Sequence, residues 1–270
     1  MTSTKKNPTR RFAANRVPRE TVASRVSLHD IERRRILSSR RRLVVSGDTY
    51  ELYSYERPYF YNRSPEKKPA SGTANTSGNE RRADNLSQAR ARIRRLISAN
   101  ESAYEERLKF VTFTFAKNVR DLSTANKLWA EYARKMRERH GALKYLTVVE
   151  FQKRGAIHYH VLYFNLPFIY GVKEVLAKTW GHGFVNIQTV AHVRNLGAYV
   201  SKYLQKDIMD RRLVGEKAFF CSKGLVQPEE FRNESSIDKI LAEFSMSSEV
   251  VRDYTSSHFG AIKYIQGKLT

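Results

Sequence analysis

Apolar positions along the chain follow two rhythms, helical spacing in some stretches and short unbroken runs in others. Leu86, Ile93, Leu96 and Ile97 recur at helical spacing among many arginines, which predicts a helix from about residue 86. "LKFVTFTFA" (108–116) is β-branched and aromatic, short and bounded, and reads as a strand buried on both faces. The stretch 121–141 predicts a helix: Asp121 or Ser123 can cap it, basic residues crowd its last turns and Gly141 stops it. "LKYLTVVEFQ" and "AIHYHVLYFN" predict two strands joined by a short turn. A second helix is expected to start at Pro167 and close at 181–183, followed by a strand over 184–190 and a third helix over 193–207. Further on, the pattern predicts a strand at 217–225, a helix around 228–244 and a strand near 260–266. This order predicts an α+β fold, a central, largely antiparallel sheet with flanking helices.

Residues 1–45 hold 13 Lys or Arg and three acids, and "DTYELYSYERPYFYN" (48–62) reads as a strand or β-rich flap. Residues 64–85 are rich in Ser, Pro, Gly, Asn and charge, and read as a flexible linker. The expected organisation is therefore a basic extension (1–63), the linker (64–85), a core (86–227), and a C-terminal helix and strand segment (228–270) packed on that core.

Charge narrows the function. With 49 Lys and Arg against 27 Asp and Glu, the net charge is +22. A polyanionic partner is the simplest reason for such an excess, since each cation that neutralises a phosphate releases counterions. A single cysteine, Cys221, excludes an intramolecular disulfide and a cysteine-based zinc site and suits a reducing compartment. No apolar run is long enough for a membrane span and the N-terminus lacks the apolar core of a secretory signal, so the cytoplasm is expected, with no membrane partner.

The chemistry begins at "EFQKRGAIHYHVLYF" (150–164). Residues i and i+2 share a strand face, so His158 and His160 project together. Two neighbouring imidazoles are poor core material and good metal ligands. A three-residue turn at Lys153-Arg154-Gly155, with Gly155 left-handed, would pair Gln152 with Ala156 and set Glu150 opposite His158 on the histidine face. A two-residue turn would send Glu150 to the other face. The alternative is two histidines on a solvated face with Glu150 as a chance hydrogen-bond partner.

"GAYVSKYLQKD" (197–207) sets Tyr199, Lys202 and Tyr203 at i, i+3 and i+4, one face of a helix. A tyrosine can attack phosphorus and leave again, conserving the phosphodiester's energy in a covalent link. A lysine one turn away favours the ionised phenol and offsets charge on the phosphate. The same pattern also suits an amphipathic helix whose tyrosines merely cover a sheet edge.

Taken in order, "FVTFTF" (110–115), "HYH" (158–160) and "YVSKY" (199–203) resemble the three motifs of the HUH endonucleases that initiate rolling-circle replication, especially those of phages and small plasmids. "TWGHGFVNI" and "FFCSKGL" look like intervening segments of that type, and the resemblance covers about 108–225. It implies an HUH, ferredoxin-like palm. It also implies Mg²⁺ or Mn²⁺ on His158 and His160 with Glu150 as third ligand, Tyr199 as nucleophile and Lys202 in the active site. Tyr203 is then either a second nucleophile or packing. The implied reaction nicks and rejoins single-stranded DNA at an origin hairpin through a 5′-phosphotyrosine. The implied partners are that DNA and a host helicase and polymerase, since no Gly-x-x-x-x-Gly-Lys-Ser/Thr segment is present. A transposase or relaxase of a mobile element, a metal-dependent hydrolase using water, and a non-catalytic single-strand binder are the competing readings. His29, His140, His182, His192 and His258 read as surface or capping residues, with His182 a candidate for lining the site.

Overall fold

The computed structural model describes residues 38–60, 78–104, 107–152, 154–190, 193, 195–204, 217 and 219–270. The expected basic arm over 1–37, linker residues 64–77, the 205–207 end of the third helix, and His29 and His192 lie outside them. In chain order the elements are β1 (Ser38–Ser46), β2 (Thr49–Phe60), α1 (Gly78–Glu101), β3 (Lys109–Thr114), α2 (Leu122–His140), β4 (Tyr145–Phe151) and β5 (Ile157–Tyr163). They continue with α3 (Val172–Trp180), β6 (Val185–Thr189), α4 (Leu196–Ser201), β7 (Phe219–Cys221), β8 (Glu229–Phe231), α5 (Glu234–Glu243), β9 (Met246–Ser256) and β10 (Gly260–Leu269). Among the described residues no helix is long and apolar enough to cross a membrane.

The strands form two five-stranded antiparallel sheets, as the α+β reading requires. The central one runs β6-β3-β5-β4-β7. Strand alternation gives it two apolar faces, which is why β3, β4 and β5 read as near-continuous hydrophobic runs. The odd-numbered residues, among them Val111, Phe113, Tyr159 and Val161, pack under α2 and α3. At their centre the Phe113 ring is fully buried, 4.8 Å from Tyr132, 5.4 Å from Trp129 and 5.3 Å from Trp180 between centroids. Even-numbered residues such as Phe110, Leu146, Val148 and Leu162 pack under α1 and α4.

The second sheet, β8-β1-β2-β10-β9, brings together both ends of the described chain. One face packs Leu43, Val45, Tyr50 and Phe231 beneath Ile237 and Ile240 of α5. This corrects the expected organisation. Residues 38–60 form a hairpin of this sheet, and the C-terminal segment pairs with that hairpin through β8 and β10. The basic run is held in place by carboxylates far along the chain: Arg41 bonds Glu234 and Asp238, and Arg42 lies 3.0 Å from Glu230.

Other boundaries move for local reasons. The helix placed from residue 86 begins at Gly78. Asp121 caps α2 by accepting from the Thr124 amide at 2.7 Å, and Gly141 ends it, as expected. The second helix starts at Val172 instead of Pro167, because Phe168 and Tyr170 have nothing to pack on and are 95% and 92% exposed. The third is α-helical only over Leu196–Ser201 and tightens into a 3₁₀ turn over Lys202–Leu204. The region expected as one helix over 228–244 opens with the short strand β8 before α5, and β9 is a strand that the pattern did not predict.

Candidate metal and nucleophile site

The β4–β5 turn takes the three-residue form. Gly155 has φ 87°, its amide donates to the Gln152 carbonyl at 2.7 Å, and the Gln152 amide donates to the Ala156 carbonyl at 2.8 Å. A left-handed residue here is cheap only as glycine. The turn fixes the register, and Glu150 stands opposite His158 with Val148 opposite His160. One extra or missing residue would have turned Glu150 away.

Glu150, His158 and His160 thus share the even face, all three buried, each offering one ligand atom within 4.8 Å of the others. Glu150 contacts His160 Nε2 directly. His160 Nδ1 lies 3.0 Å from the hydroxyl of Thr112, directly across on β3. That hydroxyl can accept from Nδ1–H and so leave the Nε2 lone pair toward the carboxylate. His158 Nε2 is buried and has no hydrogen-bond partner among the described residues. Burial first, then His160, pushes the His158 pKa down to about 4, with Glu150 opposing. The imidazole is therefore neutral at neutral pH, the form that ligates. A bare buried nitrogen is costly unless something binds it, and a cation shared with the adjacent carboxylate and imidazole would satisfy it. The donor set of two imidazoles and one carboxylate suits a divalent ion.

Helix α4 covers the same face. Its N-cap Asn195 accepts from the Ala198 amide at 2.8 Å. Gly197 lets it approach α1 so closely that an added Cβ would lie 3.0 Å from the Arg94 Cα. The approach drives Tyr199 and Tyr203 onto Phe110, with ring centroids 5.4 Å away in both cases. The Tyr203 ring stacks on His160 with centroids 4.0 Å apart. The Tyr203 hydroxyl donates to Tyr199 Oη at 3.3 Å, and Tyr199 in turn donates to Gln188 Oε1 on β6 at 2.9 Å. Burial and the bond to Tyr199 raise the Tyr203 pKa. Lys202 sets its ammonium 4.0 Å from the Tyr199 ring centroid and 5.2 Å from that of Tyr203.

The structure therefore brings every residue singled out from the sequence (Glu150, His158, His160, Tyr199, Lys202, Tyr203) onto one face of one sheet. His182 does not join them; it packs on Trp180 and Phe115, on the opposite face. Sequence reasoning missed Thr112 and Gln188, whose only signal was their even position on strands flanking the histidines. Replacing Thr112 with Val keeps the shape but removes the hold on the His160 ring. Thr112→Val is expected to lower Mn²⁺ affinity about 10- to 100-fold in titration calorimetry. Unchanged affinity would mean the hydroxyl does not orient the ring.

Residues 108–208 match a family of replication-associated proteins, the ORF2 type. No curated protein and no solved structure matches the chain. The matched stretch contains β3, the histidine pair and the tyrosine helix, and through it the chain is similar to replication-associated proteins.

Proposed function

We propose that this chain is a replication initiator of the HUH endonuclease type, which nicks and rejoins single-stranded DNA through a 5′-phosphotyrosine on Tyr199. The single observation carrying this reading is the convergence of two independent groups on one sheet face: the buried Glu150–His158–His160 cluster, and the α4 phenols, of which Tyr203 lies 4.0 Å from His160 between centroids. The similarity to replication-associated proteins supports the biological setting.

In this mechanism the Tyr199 oxygen attacks phosphorus, the P–O3′ bond breaks, and the 3′-oxygen leaves as a hydroxyl after taking up a proton. The phenolic proton departs along the bond now made to Gln188, the nearest acceptor. Tyr203 donates to the oxygen that becomes anionic, and the Lys202 ammonium stabilises charge on the phenolate and on the phosphate. Glu150, His158 and His160 would hold Mn²⁺ or Mg²⁺, which when bound supplies Lewis-acid polarisation of a phosphate oxygen. The two imidazoles favour Mn²⁺, since Mg²⁺ prefers oxygen ligands. Reversal, with a 3′-hydroxyl attacking the phosphotyrosine, restores the phenol and joins the ends.

The test is incubation with a 3′-labelled library of randomised single strands, with Mn²⁺ or with EDTA, followed by a denaturing protein gel. An Mn²⁺-dependent labelled band at the mass of the protein plus DNA is expected. Cleavage that leaves free 5′-phosphate ends and no adduct would instead assign a water-using hydrolase. Binding without cleavage would leave a non-catalytic binder.

A further inference from the structure

The second sheet hides one face beneath α5, and its other face is built from different material. Pairing registers place Arg42, Tyr53, Tyr264 and Arg252 directly opposite one another across β1, β2, β10 and β9. Directly opposed residues share a face, so this is one continuous Arg–Tyr–Tyr–Arg row. The next row holds Tyr55, Ile262 and Tyr254. Arg42 lies 5.2 Å from the Tyr53 ring centroid, and Tyr53 and Tyr264 are 5.0 Å apart. Between this face and α1 runs an open cleft of about 930 Å³, lined by Tyr53, Tyr254 and Tyr264 and by Arg94 and Arg252.

The electrostatics of the cleft are specific. Glu51 on its floor is already engaged, by Arg95 at 2.5 Å and the Tyr53 hydroxyl at 2.8 Å. Glu101 also lines the cleft, and Glu249 and Asp253 lie on the edge strand β9. Arg94 and Arg252 are exposed and bond no carboxylate among the described residues. Half-exposed phenol rings beside unengaged guanidiniums match a ligand with flat apolar rings and separate anionic groups, which is an unstacked nucleic acid strand. A duplex hides its base faces and has nothing to stack on tyrosine. The cleft is also continuous with the candidate site, because Asn195, Leu196 and Gly197 at the start of α4 line it and Tyr199 follows on the same helix.

We infer that the tyrosine face of the second sheet is a platform for single-stranded DNA, stacking bases on Tyr53, Tyr254 and Tyr264 and holding phosphates at Arg94 and Arg252. This rests on the reading of the chain as a DNA-nicking protein, and it adds a binding surface outside the stretch that resembles replication-associated proteins. The platform feeds a strand toward α4.

The experiment uses the full chain carrying Tyr199→Phe, so that no cleavage intervenes, and a fluorescein-labelled mixed-sequence single strand of about 20 nucleotides in an anisotropy titration. Adding Tyr254→Ala is expected to weaken binding about tenfold, while Tyr254→Phe, which keeps the stacking ring, retains affinity. Adding Arg252→Ala is expected to weaken binding and flatten the dependence of log Kd on log salt by about one. Lys178→Ala, on α3 at the far face of the central sheet, should change neither. Both tested side chains are exposed, and a thermal melt checks that the fold is intact. Unchanged affinity in Tyr254→Ala and Arg252→Ala overturns the platform, as does an equal loss on a duplex probe of the same length. The nuclease reading is scored separately by the adduct. An adduct with platform variants that bind normally sinks the platform alone, and platform-dependent binding with no adduct sinks the nuclease alone.

Discussion

Tyr199→Phe is expected to abolish the covalent protein–DNA adduct, lowering its rate of formation by at least about a thousandfold. The substitution removes one oxygen and leaves the packing. The ring keeps its edge against Phe110, at 5.4 Å between centroids, and its place beneath the Lys202 ammonium. Lost with the oxygen are the bonds to Gln188 and from Tyr203. Binding of single-stranded DNA should survive, so the defect falls on chemistry. Tyr203→Phe is the informative companion. If Tyr203 only supports its neighbour, its loss slows adduct formation without ending it. An adduct undiminished in Tyr199→Phe and missing in Tyr203→Phe would transfer the nucleophile to Tyr203, whose ring lies against His160.

The second large effect is on metal affinity. Glu150→Gln preserves volume and the ability to bond His160, and removes only the charge. Mn²⁺ affinity should fall by about 100-fold or more, since the carboxylate is the one anionic ligand of the three. Thermal melting gives the readout. At a metal concentration about 100 times its Kd, the wild-type chain gains about 2.7 kcal/mol, and the variant at that concentration gains almost none. In EDTA the order is expected to invert, with the variant at least as stable, because an amide costs less to bury than a carboxylate. A purely structural Glu150 predicts the reverse in EDTA, and an equal Mn²⁺ shift in both proteins would remove it from the ligand set.

The central sheet was legible because its signals are local. Continuous β-branched runs mark strands buried on both faces, and the Gly155 turn converts a count of residues into the register that aligns Glu150 with His158. The Tyr199, Lys202, Tyr203 cluster was legible for the same reason, even though the α-helix ends at Ser201 and a 3₁₀ turn carries the last two. The second sheet was hidden because its signals are distant. Arg41 and Arg42 look like a solvated arm until Glu230, Glu234 and Asp238 are brought beside them. Strand β9 is an edge strand exposed along most of its length, so it lacks the alternation that betrays a half-buried strand. Gln188 and Thr112 were missed because a polar side chain on a strand acquires meaning only from what lies across the sheet.

The position of β10 between β2 and β9 has a temporal consequence. During synthesis every strand of the histidine-bearing sheet has left the ribosome before β10 begins at Gly260. The nuclease half can thus be assembled while β2 still shows the ribosome-side chain an unpaired edge, and the tyrosine cleft is completed only when that late strand slots in.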